Sequence, residues 1–332
     1  MSNRILASPA PSESPAIVPL SRKPVGPSDA LIRVGRLIAG DQQYFAKYSE
    51  SAENHNEANE LLILEAGFLE SRNNPSLMGE PTRKMIENRV VLTWPFAEGI
   101  SLFDLLNLLR ANESLCSVSQ RTVIIQGLIE LMRDVHANQD GSPYWYLLLS
   151  TRALENTWLT RSGELKSVGI AEIAGEKIIQ QPESWTVLKA PELVIEGHAI
   201  DNRADIYAAG ALMFHILTLR PVISDTQLNE RVVYRMFRNV NPRPSDVFDQ
   251  LAKYDPIIEK SLQWLPENRY HCAQDMLDAL FSVTGDSTSD QRTKLKHLYD
   301  LAFNLSNEPE GNQPTGFKDK NAAAIAKDST LV

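Results

Sequence analysis

The sequence predicts an α+β protein of two lobes, a small lobe built on a sheet and a larger helical lobe that follows it. Short β-prone runs occur within the first hundred residues and surround one amphipathic stretch with helical spacing. Helical spacing of apolar residues dominates after Ser101. The stretch from Pro95 to Gly99 separates the two patterns, so we place the small lobe at residues 29–96 and the large lobe at residues 97–284.

The composition suits a globular protein with one or two packed lobes, because 43% of the 332 residues are hydrophobic. The 33 basic and 42 acidic residues give a formal net charge of −9, which disfavours nucleic acid as a partner. Cys116 and Cys272 lie far apart, and we expect both to be buried and reduced. No apolar stretch has the length of a membrane span and the start lacks a secretion signal, so we expect a cytoplasmic protein.

Both ends of the chain are poor in apolar residues. Residues 1–28 are rich in proline and serine, and residues 307–332 are rich in polar and small residues. Neither segment offers enough apolar surface to offset the loss of chain entropy on folding. We therefore predict a disordered arm and a disordered tail.

The elements of the small lobe follow in order. Two β-prone runs, Ala30–Ile38 and Tyr44–Tyr48, predict a hairpin around the turn at residues 39–41. Three- and four-residue spacing of apolar residues predicts a helix within Glu57–Arg72. Arg89–Trp94 predicts another strand, which Pro95 ends.

The large lobe is mostly helical. Ser101 is predicted to cap its first helix, and a long helix is predicted to end at His136. Short strands are predicted on either side of the turn Ser162-Gly163, at Thr157–Thr160 and Glu164–Val168. Further helices are predicted at residues 204–219, 231–238, 256–264 and 272–283.

A last amphipathic helix is predicted at residues 285–306. Its leucines recur at three- and four-residue spacing, and they are Leu295, Leu298, Leu301 and Leu305. We expect this stripe to pack on the large lobe. If it is exposed instead, it is a docking face for another protein.

Three sequence motifs in the second half of the chain occur in a specific order. They are Ala190-Pro191-Glu192, Asp205-Ile206-Tyr207-Ala208-Ala209-Gly210 and Pro266-Glu267-Asn268-Arg269. Together they resemble the C-terminal lobe of eukaryotic-type Ser/Thr protein kinases, and the resemblance extends from about Ile32 to Val283. It implies a bilobal protein-kinase-like fold in which Glu192 and Arg269 form a buried ion pair. It also implies that Asp205, on a buried helix with Gly210, tethers the catalytic loop.

The same resemblance implies a nucleotide pocket that could hold ATP. Lys47, at the end of a predicted strand, is similar to the lysine of V-A-I-K, which holds the α- and β-phosphates. Glu65 resembles the glutamate that orients this lysine, and Glu60 is a rival on another helical face. Trp94 and Phe96 lie in the segment that resembles the hinge. The alternative is that Lys47 and Glu65 are solvated surface charges.

Two parts of the kinase machinery are missing around this pocket. No G-x-G-x-x-G precedes Lys47, where only Gly35 and Gly40 are available, so fewer backbone N–H groups can cradle phosphates. Counting back from Asn156, the catalytic base position is occupied by Thr151. A threonine hydroxyl does not accept a proton near neutral pH as a carboxylate does.

The metal ligands are also incomplete. Ser167 lies where the resemblance implies the aspartate of D-F-G, and a hydroxyl is a poor ligand for Mg²⁺. Asn156 matches the magnesium-binding asparagine of the family, or it belongs to a polar turn. A magnesium site therefore has little support.

These observations predict a pseudokinase, a signalling or scaffolding module that binds a protein partner and retains ATP as a potential ligand. Two alternatives stay open. One is an active atypical kinase or nucleotidyl-transferring enzyme in which Glu155, Glu164 or Glu172 replaces the missing carboxylates. The other is a structural protein with an occluded pocket.

Overall fold

The computed structural model describes a large part of the chain. The described residues are 16–19, 33–48, 55–70, 76–136, 153–169, 190–193, 201–220, 222, 238, 241–285 and 288–307. Several predicted features lie outside them: Thr151, Glu172, the side chain of Glu155, residues 308–332 and the helix at 231–238 except Arg238.

The small lobe is built on a five-stranded antiparallel sheet. Its strands are β1 (Ala16–Pro19), β2 (Arg33–Ala39), β3 (Gln42–Tyr48), β4 (Thr82–Ile86) and β5 (Arg89–Pro95). They lie in the spatial order β1-β2-β3-β5-β4. Helix α1 (His55–Glu70) follows β3 and packs on β5 and β3, which places its buried face against the inner face of the sheet.

Strand β1 corrects the prediction that residues 1–28 are disordered, which is wrong for Ala16–Pro19. These four residues pair with β2 in antiparallel register, from Ala16 opposite Ile38 to Pro19 opposite Gly35. A short edge strand is stabilised by its partner, so local composition does not reveal it. In the sequence, residues 20–32 lie between β1 and β2 and contain a single glycine, Gly26, whereas Gly35 lies on β2 and Gly40 between β2 and β3. The expectation that only Gly35 and Gly40 are available for a phosphate loop before Lys47 is therefore wrong.

The large lobe combines helices with a second, three-stranded sheet. Its strands are β6 (Gly99–Ser101), β7 (Thr157–Thr160) and β8 (Leu165–Ser167), in the order β6-β7-β8. Its helices are α2 (Leu102–Ala111), α3 (Val118–His136), α4 (Ala153–Asn156), α5 (Arg203–Thr218), α6 (Asp255–Ser261), α7 (Ala273–Thr284) and α8 (Thr288–Asn307). Ser101 caps α2 as predicted, because its hydroxyl accepts a hydrogen bond from the Asp104 backbone N–H at 3.0 Å.

Helix α5 lies at the centre of this lobe and contacts α3 and α6. Its apolar residues are buried along nearly its whole length, which is why its sequence has no polar face. Gly210 allows α6 to approach closely, since a Cβ on Gly210 would lie 2.5 Å from the Cβ of Ser261. The close approach of the two helices therefore depends on glycine at this position.

Gly210→Ala is expected to lower the free energy of unfolding by about 1–3 kcal/mol, because the added methyl group overlaps Ser261. Combining it with Ser261→Gly should recover part of this loss, with a coupling energy of at least about 0.5 kcal/mol. Urea unfolding of the two single variants and the double variant measures both quantities.

Gly67→Ala is the matched control, because Gly67 lies within α1 and a Cβ added to it would have no other atom within 4 Å. That change is expected to stabilise the protein by up to about 1 kcal/mol through helix propensity. Equal effects of the two glycine replacements would contradict the packing argument.

The C-terminal helix α8 packs on the large lobe, as its leucine stripe predicts. Leu295 and Leu298 are buried, and α8 contacts α3 and the β6–β7 region. The β7–β8 turn lies directly against it, since a Cβ on Gly163 would be 2.5 Å from the carbonyl oxygen of Arg292. Arg292 Nε also donates to the carbonyl oxygen of Ser162 at 3.1 Å. The alternative of a wholly exposed docking stripe is therefore wrong.

The two cysteines are not bonded to each other. Cys116 is buried, and burial raises the pKa of its thiol. Cys272 is partly exposed, so the expectation that both are buried is wrong for Cys272. Within the described ranges, no helix combines the length and the apolar character needed to cross a membrane.

Candidate functional site

Lys47 and Glu65 form a buried ion pair on the inner face of the small lobe. Lys47 lies on β3 and Glu65 on α1, and Lys47 Nζ is 2.9 Å from Glu65 Oε1 and 2.7 Å from Oε2. Both side chains are about 95% buried. Glu60 is exposed on the same helix, so it is not the partner. The alternative of two solvated surface charges is wrong, whereas the role of the pair in binding nucleotide stays a prediction.

Gly169 covers this ion pair from the large lobe. Its φ of +84° is in the left-handed region, and an added Cβ would clash with Glu65 Oε1 and lie 3.5 Å from Lys47 Nζ. Both the backbone conformation and the lack of space require glycine here. The backbone of the large lobe thus closes directly on the charged pair of the small lobe.

Ser167 lies at the end of β8, two residues before Gly169, and is fully buried. Its hydroxyl donates a hydrogen bond to the carbonyl oxygen of Gly169. Its backbone N–H donates to the Ser76 carbonyl oxygen and its own carbonyl oxygen accepts from the Met78 N–H, both at 3.0 Å. Ser167 is therefore held by its own chain on both its side chain and its backbone, and it joins the two lobes.

Asn156 ends α4 immediately before β7 and is buried. Its backbone carbonyl oxygen accepts a hydrogen bond from the Val168 N–H at 2.8 Å, so the interpretation as a polar turn that ties the chain together agrees with the geometry. Its side-chain Oδ1 is buried and has no hydrogen-bond partner in the described part of the chain.

These oxygens do not fit a magnesium site. Mg²⁺ prefers carboxylate oxygens in an octahedral arrangement, whereas Ser167 offers a hydroxyl that is already bonded to Gly169. Glu164 lies at the opposite end of the β7–β8 hairpin, about 10 Å from Ser167 along the strand, and it pairs with Arg292 of α8. Its proposed use as a replacement carboxylate is not supported by this placement. No group of three or more His, Cys, Asp or Glu side chains converges within the described residues.

Three aromatic side chains occupy the cleft between the lobes, and the sequence reasoning missed two of them. We call Phe45, Phe96 and Trp158 the aromatic cluster. Phe45 lies on β3 and its ring centroid is 4.8 Å from that of Phe96, in the segment that joins the lobes, and 4.8 Å from that of Trp158 on β7. Phe45 is fully buried and Trp158 is 95% buried. The available signal was the position in the sequence, since Phe45 precedes Lys47 by two residues on β3 and Trp158 follows Asn156 by two residues.

The other predicted hinge residue, Trp94, is fully buried on β5. Its indole N–H donates to the carbonyl oxygen of Gly79 at 2.9 Å, so it is bound within the small lobe. Its contact with a nucleotide stays a prediction.

Glu192 and Arg269 form the second buried ion pair. Arg269 NH1 and NH2 lie 2.6 Å and 2.8 Å from the two carboxylate oxygens of Glu192, in a bidentate arrangement. Arg269 also donates to three backbone carbonyl oxygens, those of Gln263, Trp264 and Arg203. Its guanidinium lies 5.0 Å from the ring centre of Tyr207, whose pKa is raised by burial. This pair joins the segment after Ala190 to α5 and to the chain before α7.

Asp205 is fully buried at the start of α5 and lies 2.9 Å from Nε2 of His136, the last residue of α3. The contact joins α3 to α5. The catalytic-loop position that Asp205 is predicted to tether lies outside the described residues.

No protein-family model matches the chain. A probable serine/threonine-protein kinase of Streptomyces coelicolor is 30% identical over 130 residues, 36% of this chain and 19% of that protein. Serine/threonine-protein kinase PknF of Mycobacterium tuberculosis is 32% identical over 107 residues, 32% of this chain and 22% of that protein. Tyrosine-protein kinase MasK of Myxococcus xanthus is 25% identical over 179 residues, 50% of this chain and 27% of that protein. The matches thus span about a fifth to a quarter of these relatives.

Solved structures extend the comparison to most of the chain. The kinase domain of Mycobacterium tuberculosis PknI matches with a TM-score of 0.55 and 17% identity, covering 84% of this chain and all of that domain. A second structure of the same domain matches with a TM-score of 0.56 and 18% identity, covering 85% of this chain and all of that domain.

Proposed function

We propose that this chain, which has the bilobal α+β fold of the protein kinases, is a pseudokinase: a signalling or scaffolding module that binds a protein partner and does not transfer phosphate. The observation that carries the proposal is Ser167. At the position where the resemblance implies a metal-binding aspartate, the chain has a neutral hydroxyl that donates to its own backbone.

Phosphoryl transfer explains why this substitution matters. Catalysis in this class depends on positioning and on metal ions that neutralise charge on the transferred phosphate. A hydroxyl brings no negative charge to a cation, and Thr151 supplies no carboxylate at the base position. The Lys47–Glu65 pair positions charge, but on its own it supplies neither a ligand for the metal ions nor a catalytic base.

The scaffold supports a binding role. The Glu192–Arg269 ion pair joins three parts of the large lobe and involves none of the residues at the metal and base positions. The small lobe also exposes large apolar side chains on α1 and β4, namely Ile63, Leu64 and Met85. Large exposed apolar side chains occur on protein-binding surfaces, and these three residues are the ones we propose for contact with a protein partner.

A test of the proposal is incubation of the full chain with ATP labelled on the γ-phosphate, with Mg²⁺ or Mn²⁺ and a generic protein substrate. We expect no transfer above that of a Lys47→Met variant, because the metal and base positions lack carboxylates. An active protein kinase assayed in parallel shows that the conditions permit transfer. Label transfer that the unmodified chain performs and Lys47→Met does not would overturn the proposal and favour an atypical kinase.

A further inference from the structure

The aromatic cluster lies where a nucleotide base would have to enter. Side chains two residues apart on a strand share a face and lie about 7 Å apart, so Phe45 is on the same face as Lys47 and one step nearer the segment that joins the lobes. Trp158 lies on β7 in the large lobe, two residues after Asn156, and its ring contacts that of Phe45 across the cleft. A ligand with its phosphates at Lys47 would therefore have its base between Phe45 and Trp158.

The spacing of the rings leaves no room for such a base. Carbon atoms in contact lie about 3.5–4.0 Å apart, so a flat ring inserted between two others needs roughly 7 Å between them. The centroids of Phe45 and Trp158 are 4.8 Å apart, and those of Phe45 and Phe96 are also 4.8 Å apart. The side chains are in direct contact across the cleft.

A second set of contacts closes the cleft at its inner end. Ser167 of the large lobe bonds through its backbone to Ser76 and Met78 of the small lobe. Gly169 lies against the Lys47–Glu65 pair without space for a methyl group. Both ends of the cleft are thus held closed by the chain itself.

We propose that the aromatic cluster replaces the nucleotide base, so that the cleft stays closed without a ligand and excludes ATP. A closed cleft is a property separate from the loss of phosphotransfer, because a protein can bind a nucleotide without transferring its phosphate. Removing the Phe45 ring leaves an apolar space bordered by Phe96 and Trp158, which suits a flat aromatic ring such as adenine or indole.

The test uses the full chain and its Phe45→Ala variant, with thermal unfolding and calorimetric titration of ATP, adenosine and indole. We expect the unmodified chain to show no response to any of the three. Phe45→Ala should melt roughly 6–20 °C lower, because a large buried ring is lost. Adenosine or indole at ten times its Kd should then raise the melting temperature of the variant by roughly 3–6 °C.

The matched control is Phe214→Ala, which removes another buried ring, on α5 in the core of the large lobe. It should be destabilised to a similar degree and show no response to adenosine. If Phe45→Ala does not yield folded protein, Trp158→Leu is the second variant. It leaves a smaller cavity in the same aromatic cluster, and the same responses to adenosine and indole are expected.

Two results would overturn the inference. One is a rise in the melting temperature of the unmodified chain with ATP or adenosine. The other is a folded Phe45→Ala or Trp158→Leu variant that binds neither adenosine nor indole. A nucleotide response without label transfer would refute the closed cleft and leave the pseudokinase proposal standing, so the two failures are distinguishable.

Discussion

Arg269→Ala is expected to lower the free energy of unfolding by about 3–5 kcal/mol. The change leaves the Glu192 carboxylate buried without its bidentate partner, and it removes the donors to three backbone carbonyl oxygens. For a body of this size the loss corresponds to a fall of roughly 6–20 °C in melting temperature. Thermal unfolding followed by circular dichroism measures it.

The control for this change is Asp300→Asn, which breaks the ion pair between Lys296 and Asp300 on the exposed side of α8. A half-exposed pair of this spacing is worth roughly 0.3–0.5 kcal/mol, so the melting temperature should change by at most about 2 °C. If the two variants lose similar stability, Arg269 does not hold the large lobe together in the way described.

Glu65→Leu is expected to destabilise the protein by a comparable amount, about 3–5 kcal/mol, because it leaves the Lys47 ammonium buried beneath Gly169 without its carboxylate. The double variant Lys47→Met/Glu65→Leu should recover most of this loss, because two apolar side chains often replace a buried ion pair without net cost. Urea unfolding of the single and double variants measures the recovery.

Glu60→Leu is the matched control on the same helix, since Glu60 is exposed, and it should have little effect. If the double variant is as unstable as Glu65→Leu alone, the ion pair contributes more to the stability of the fold than the compensation of one buried charge by the other. Recovery would show that the fold does not need the two charges for its stability.

The elements with strong local signals could be predicted from the sequence. The alternating runs around Gly40 and the helical period before Arg72 gave β2, β3 and α1 to within a few residues. Glu65 could be identified as the partner of Lys47 only through the resemblance, because helical spacing left Glu60 as a rival. Strand β1 could not be predicted, since four residues in a proline-rich arm are stabilised by pairing with β2.

The aromatic cluster was missed for a different reason. Phe45 and Trp158 are ordinary residues for a β-strand, and nothing local distinguishes them from core residues. Their significance lies in a contact between two lobes, formed by residues that are far apart in the sequence. Hydrophobic periodicity concerns one helix or strand at a time. It therefore predicts which face of β3 is buried, but not which residues of the large lobe pack against that face.

The packing of α8 against the Gly163 turn has a consequence for how the protein is made. The hairpin that carries Trp158 is synthesised before the helix that covers its turn. At typical rates of translation, about 140 residues separate the two by roughly 7–30 s. During this interval α8 is not yet available to pack on the β7–β8 turn. The packing of the large lobe is therefore complete only after α8 has left the ribosome.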